Sequence, residues 1–214
     1  ETEYLLVDCH YLGINNIMAL RGDAMKGQQY FKATNGGHTY ATELVHQVQN
    51  LNCGKYLHGQ IDANDKADFC IGVAGYPEKH MESPSLLSDL KRLKEKVDAG
   101  ADYVVTQMFF DNQKYFNFVE AAKNIGIYVP IIPGIKPLAV SRHLQMLPQV
   151  FKIDLPENLI QEVEKCKSNK EVRQVGVEWA IQQSKELLTA GVPVLHYYSM
   201  GKSSNIRQIA KKLF

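Results

Sequence analysis

The 214 residues carry 24 basic against 23 acidic side chains. That balance speaks against a polyanion partner, and so against nucleic-acid binding driven by charge. No apolar run approaches the roughly 18 residues of a membrane span, which leaves a globular chain long enough for a sizeable core. The cysteines, Cys9, Cys53, Cys70 and Cys166, form no Cys-x-x-Cys pair. Their spacing argues against a zinc site or disulfide framework and for reduced thiols in a cytoplasmic protein. The first residue is Glu1 rather than methionine, so the chain is expected to be a piece of something longer.

Residues 1–12 have helical spacing and stop at Gly13, and Ile14 to Leu20 reads as a strand closed by Arg21-Gly22-Asp23. A loop through Gly27, Asn35, Gly36 and Gly37 follows, longer than the usual connection of about 2–6 residues, and is a candidate ligand cover. Tyr40 to Leu51 is expected to be helical, and Phe69 to Ala74 a strand ending in Gly75-Tyr-Pro-Glu-Lys-His80. In the helix Ser83 to Ala99, Leu86, Leu90, Leu93 and Val97 form one stripe. Gly100 is suited to close that helix in a left-handed conformation.

Tyr103-Val-Val-Thr106 is short and apolar on both faces, as a covered parallel strand should be. Gln107 falls at its carboxyl end, and Asp111 can cap the next helix, Gln113 to Ile125. Tyr128 to Ile132 is the following strand. Two or three helical segments occupy 139–190, then comes a strand from Val192 to Tyr197 and a helix from Asn205 to Leu213. Strand and helix alternate throughout, which places the chain in the α/β class with a parallel sheet. About five strands are countable against the eight of a closed (β/α) barrel, so the sheet is either open or a barrel lacking its first part.

Polar groups follow each strand: Arg21 and Asp23; Tyr76, Glu78 and His80; Gln107; Lys136; Tyr198 and Lys202. In a parallel barrel these share one rim, where active sites are built. The chain has no Gly-x-x-x-x-Gly-Lys loop, Gly-x-Gly-x-x-Gly fingerprint, His-x-x-x-His metal spacing or Gly-x-Ser-x-Gly elbow. A rim of acid, base and amide groups without a self-sufficient catalytic set favours a cofactor that does the chemistry. Several alternatives stay open on the residues alone. Gln107 either binds a ligand or caps its own loop, Asp89 and Lys96 either bind or form a solvated helix face, and Lys136 is either a Schiff-base lysine or a solvated turn residue.

Six stretches in order resemble the methylenetetrahydrofolate reductases. They are Asn16-Ile-Met-Ala-Leu-Arg-Gly-Asp23, Tyr40-Ala-Thr-Glu-Leu-Val45, Ala74-Gly-Tyr-Pro-Glu-Lys-His80, Leu93-Lys-Glu-Lys-Val-Asp-Ala-Gly-Ala101, Thr106-Gln-Met-Phe-Phe-Asp111 and Pro130-Ile-Ile-Pro-Gly-Ile135. The resemblance implies a (β/α)8 TIM-barrel type, incomplete here and holding about the last five strands, with residues 1–214 a partial barrel domain. It implies that NADH or NADPH reduces FAD, and that FAD then reduces 5,10-methylenetetrahydrofolate to 5-methyltetrahydrofolate, in one-carbon metabolism and methionine supply. By the match, Leu20, Arg21, Gly22 and Asp23 lie against the flavin, with Asp23 also assisting hydride transfer. Tyr40, Ala41, Tyr76, His80, Asp89 and Lys96 hold the rest of FAD. Gln107 is expected to be catalytic and, with Tyr198 and Lys202, to bind the folate substrate. A homo-oligomer without nucleic-acid or membrane partners is expected.

The sequence departs from the family pattern at three places. Ser141 stands where an aromatic is common, Lys202 replaces an arginine, and Glu95 replaces a basic residue, with Arg92 one turn earlier. The family's Glu-Phe-Phe-Pro-Pro segment, which carries the general-acid glutamate, has no match, so the chain by itself is expected to be inactive. A Schiff-base lyase using Lys136 and a non-catalytic binding subunit are the competing readings.

Overall fold

In a computed structural model, the chain is described throughout except at Lys26, Gln29, His58, 61–65 and Lys202, and at the side chain of Gln60. The helices are α1 (Thr2–Tyr11), α2 (Ala41–Asn52), α3 (Leu86–Asp98), α4 (Asn112–Asn124), α5 (His143–Phe151), α6 (Glu157–Glu164), α7 (Asn169–Thr189) and α8 (Ser204–Leu213). The strands are β1 (Asn16–Ala19), β2 (Lys55–Tyr56), β3 (Gly59–Gln60), β4 (Cys70–Gly75), β5 (Tyr103–Thr106), β6 (Ile131–Ile132), β7 (Gly134–Ile135) and β8 (His196–Tyr197). One sheet has the order β1-β4-β5-β6, while β2 with β3 and β7 with β8 form two-stranded pairs. The β1–β4 pair is parallel, with Asn16 opposite Cys70 and Ala19 opposite Val73, and β7–β8 is parallel as well. The expected α/β class with a parallel sheet is therefore present.

Several expected strands are shorter in the structure. Of Ile14 to Leu20 only Asn16–Ala19 is strand, and Leu20 leaves the sheet with half of its surface exposed. Of Tyr128 to Ile132 only the last two residues are strand: Tyr128 is exposed, and Pro130 cannot donate to a ladder. Pro193 limits the last strand to His196–Tyr197 in the same way. The β2–β3 antiparallel pair lies in a stretch without apolar alternation and is a feature that periodicity did not reveal.

The chain divides into two compact units. The first comprises Glu1–Ala74, Lys91–Val104 and Ile127–Pro130. Here Val45, Val48 and Leu51 of α2 are buried, as are Ile71 and Val73 of β4 and Val104 of β5. Asp102 ties β5 to β4 twice, accepting the Ile71 N–H at 2.7 Å and donating its own N–H to the Ile71 carbonyl at 2.8 Å. Gly100 closes the turn after α3 at φ +114°, and its carbonyl accepts Gln49 Nε2 at 2.8 Å.

The second unit comprises Gly75–Leu90, Val105–Gly126 and Ile131–Phe214. One core cluster joins Met108 and Phe110 to Leu138, Leu147 and Leu159; another joins Phe109 and Tyr115 to Ile135, Ala180 and Leu187. The carboxyl end of β5 is pinned from two sides. Thr106 Oγ1 accepts the Gly134 N–H at 2.9 Å, and the Tyr198 hydroxyl donates to the Thr106 carbonyl at 2.8 Å. Gly134 makes this approach possible, because a Cβ there would overlap the Thr106 carbonyl and the Tyr198 ring.

Candidate functional site

In the first unit, β1 delivers Leu20, Arg21, Gly22 and Asp23 to the wall of a cavity of about 390 Å³. Tyr40 and Ala41, at the start of α2, line the same cavity. Six expected cofactor contacts thus meet around one space, which has both apolar and charged walls. Arg21 lies over the Phe31 ring at 5.3 Å, and a Cβ on Gly22 would press on that ring at 3.2 Å. Tyr40 is fixed by the turn before α2: the Tyr40 and Thr39 N–H groups both donate to Glu43, at 3.2 and 2.6 Å. These bonds, Tyr40's first, hold the exposed Glu43 carboxyl below its ordinary range. Lys96 also belongs to this unit, and its Nζ donates to the Ala74 carbonyl.

The remaining expected residues lie in the second unit. Asp89 is buried and accepts the His80 N–H at 3.0 Å and the Ser83 hydroxyl at 2.8 Å. It is therefore a buried anchor for the turn after β4 rather than part of a solvated face. In that turn the Tyr76 and His80 rings meet edge to face at 4.8 Å, and His80 Nδ1 accepts the Glu82 N–H at 3.1 Å. Gln107 donates its backbone N–H to the Gly75 carbonyl at 2.8 Å, while its Oε1 accepts the Met108 N–H at 2.9 Å. The side-chain amide thus caps its own loop through oxygen, and its Nε2 has no acceptor among the described residues. Tyr198 spends its hydroxyl on Thr106, and burial pushes its pKa up. Lys202 lies outside the described residues. Lys136 follows β7 half-buried, and burial lowers its pKa.

A group the sequence indicated only as one rim residue among many is Glu78. Its side chain is 8 % exposed, and its Oε2 accepts the Asp154 N–H at 3.0 Å with Lys114 Nζ 3.6 Å away. Burial pushes the Glu78 pKa up to about 7 against the opposing pull of the Asp154 N–H and Lys114. Lys114 Nζ lies 2.9 Å from Asp154 Oδ2 and holds that carboxyl below its usual range. Of the two carboxyls, Glu78 is therefore the one that takes up a proton first as pH falls. Asp154 and Lys114 stand 76 and 36 residues away, beyond the reach of any local pattern.

The family model "Methylenetetrahydrofolate reductase" matches residues 1–214. The chain belongs to the methylenetetrahydrofolate reductase family. Among its relatives, methylenetetrahydrofolate reductase 1 of Schizosaccharomyces pombe is 33% identical over 95% of this chain and 32% of its own length. Methylenetetrahydrofolate reductase (NADH) 1 of Arabidopsis thaliana is 37% identical over 88% and 31% respectively. The Escherichia coli 5,10-methylenetetrahydrofolate reductase is 33% identical over 89% and 58%. The chain thus spans about a third of the length of the eukaryotic relatives. A solved Clostridium thermocellum structure, described as binding two copies of 5-methyl-5,6,7,8-tetrahydrofolic acid, aligns at TM-score 0.45 and 21% identity. It covers 68% of this chain and 52% of its own, a likeness too loose to bear on the ligand here. No helix among the described residues is long and apolar enough to cross a membrane.

Proposed function

We propose that this chain forms the flavin- and folate-contacting part of an NAD(P)H-dependent methylenetetrahydrofolate reductase, within an incomplete TIM barrel. The observation that carries this reading is the gathering of Leu20, Arg21, Gly22, Asp23, Tyr40 and Ala41 around one cavity. Its mixture of exposed aliphatic, guanidinium, carboxylate and phenol groups fits a segment of FAD, which joins an apolar ring system to polar and charged parts. When bound, FAD would supply hydride transfer between the nicotinamide and the folate. Lys136, half-buried with a lowered pKa, would equally suit a Schiff-base lysine, but family membership favours the reductase.

Each residue has a definable part. Leu20 offers apolar contact, and Arg21 is steadied by Phe31. The Asp23 carboxylate favours positive charge developing on a nearby substrate and disfavours negative charge. Tyr76 and His80 present their rings on a turn that Asp89 holds in place, so Asp89 is a positioning residue. Gln107 keeps Nε2 to donate to a pterin or nicotinamide, while its Oε1 is committed to Met108. Tyr198 acts on Gln107 indirectly, by fixing the end of β5.

The test is to express the complete reading frame that encodes this chain and assay it for NAD(P)H-dependent formation of 5-methyltetrahydrofolate. The expected result is a yellow protein that makes this product. A colourless protein that forms a borohydride-trappable adduct at Lys136 would instead establish the lyase reading.

A further inference from the structure

A second cavity, of about 470 Å³, lies in the second unit, and its lining includes none of the residues assigned above to cofactor or folate. Its size is in the small-molecule range. Asp111, Asp154 and Glu186 supply three carboxylates to its lining, against one cation, Lys114, which Asp154 already engages at 2.9 Å. Phe110 and Trp179 supply an apolar wall, and the indole is held by its Nε1–H donating to the Phe110 carbonyl at 3.1 Å. Asn112 also lines the cavity and is 9% exposed. Its Nδ2 donates to the Gln183 carbonyl at 3.0 Å and to Glu186 Oε2 at 2.8 Å. Its Oδ1, however, is buried without a donor among the described residues. A buried acceptor left in this way costs stability, and something that donates to it relieves that cost.

The lining thus has an excess of acceptors, a net negative charge, an orphaned amide oxygen and an anchored indole. The amides of Asn158 and Gln182 and the Lys114 ammonium also line the cavity, but three carboxylates against one cation disfavour an anion there. A planar or tetrahedral nitrogen cation would find carboxylates to donate to and an aromatic wall to lie against. We propose that this cavity is a binding site for a small organic cation, a guanidinium or ammonium group on a short apolar stem. Glu186 is its main charge partner and Asp154 its second. Asp154 also takes part in the Glu78–Lys114 group, so an occupant would act on the turn that carries Tyr76 and His80.

Trp179 is the sole tryptophan, so its emission reports on this cavity alone. The experiment is a fluorescence titration of the 214-residue chain with agmatine at constant ionic strength, in parallel with 4-guanidinobutyrate, where a carboxylate replaces the amine. Agmatine is expected to give a saturable change with half-saturation near about 1 mM, and 4-guanidinobutyrate a clearly weaker one. Glu186→Gln is expected to weaken agmatine binding about tenfold, the effect of losing a charge-assisted hydrogen bond. Asp154→Asn alters a largely exposed side chain, so it reports on binding even if Glu186→Gln fails to fold; about threefold weakening is expected. A non-saturable response, equal affinity for both probes, or unchanged binding in Asp154→Asn would overturn the assignment.

Discussion

Asp23 is exposed at the wall of the first cavity, where its carboxylate can act on a bound partner and makes no ion pair among the described residues. Asp23→Asn in the complete protein is expected to retain FAD and to slow folate reduction more than flavin reduction by the nicotinamide. Stopped-flow measurement of both half-reactions checks this; equal effects would remove Asp23 from the chemistry. Gln107→Ala is expected to weaken folate binding by about 1–3 kcal/mol, the cost of leaving a buried polar partner unpaired, with normal FAD content. Unchanged folate affinity would leave Gln107 as a loop cap for Met108 and nothing more. Glu78 makes a pH prediction. Its folded pKa of about 7 lies above the ordinary 4.5, so the folded state retains a proton that the unfolded chain releases. Stability from this group is then full below about pH 4.5 and falls as pH rises to about 7, by on the order of a few kcal/mol. Glu78→Gln, which can still accept the Asp154 N–H, should flatten the melting temperature across that window. At this scale the sequence showed which strand ends carry polar groups, but not their burial. Asp89 and Lys96 fit a solvated helix stripe by spacing, and only tertiary placement shows one anchoring a turn and the other bonded to Ala74.

The long helix α7 packs against the segment after β7 so closely that a Cβ at Gly176 would overlap the backbone of Leu138. Gly176→Ala gains helix propensity of about 1 kcal/mol but must push helix and backbone apart, and backbone cannot yield as a flexible side chain does. A net loss of about 1–3 kcal/mol in chemical denaturation is expected; a stabilised variant would show that the helix is free to shift. The helices were largely legible because caps and periodicity are local. Asp111 accepts the Gln113 N–H at 2.9 Å as its position before the helix predicted, and Gly100 takes its positive φ. Strand ends were not, since pairing depends on a neighbour distant in sequence. Leu20 continues an apolar run yet leaves the sheet, and its exposure there serves the cavity wall. The long loop expected as a ligand cover does line the cavity, but Phe31, Thr34 and His38 could not be singled out in a stretch that has no period to read.

For the whole molecule, β1 is an edge of the four-stranded sheet, with Met18 exposed, and α1 exposes Tyr4, Leu5, Tyr11 and Leu12. An edge strand beside apolar surface is a template for pairing with another chain. The 214-residue chain is expected to self-associate in sedimentation experiments, and Met18→Lys to shift it toward a monomer of 24.2 kDa. Flavin-mediated folate reduction can be followed by anaerobic absorbance of the protein from the complete reading frame. NADH or NADPH should bleach a flavin band, and 5,10-methylenetetrahydrofolate added afterwards should restore it with formation of 5-methyltetrahydrofolate. A protein that binds no flavin, or whose bleached flavin is not reoxidised by the folate, would exclude flavin-mediated folate reduction.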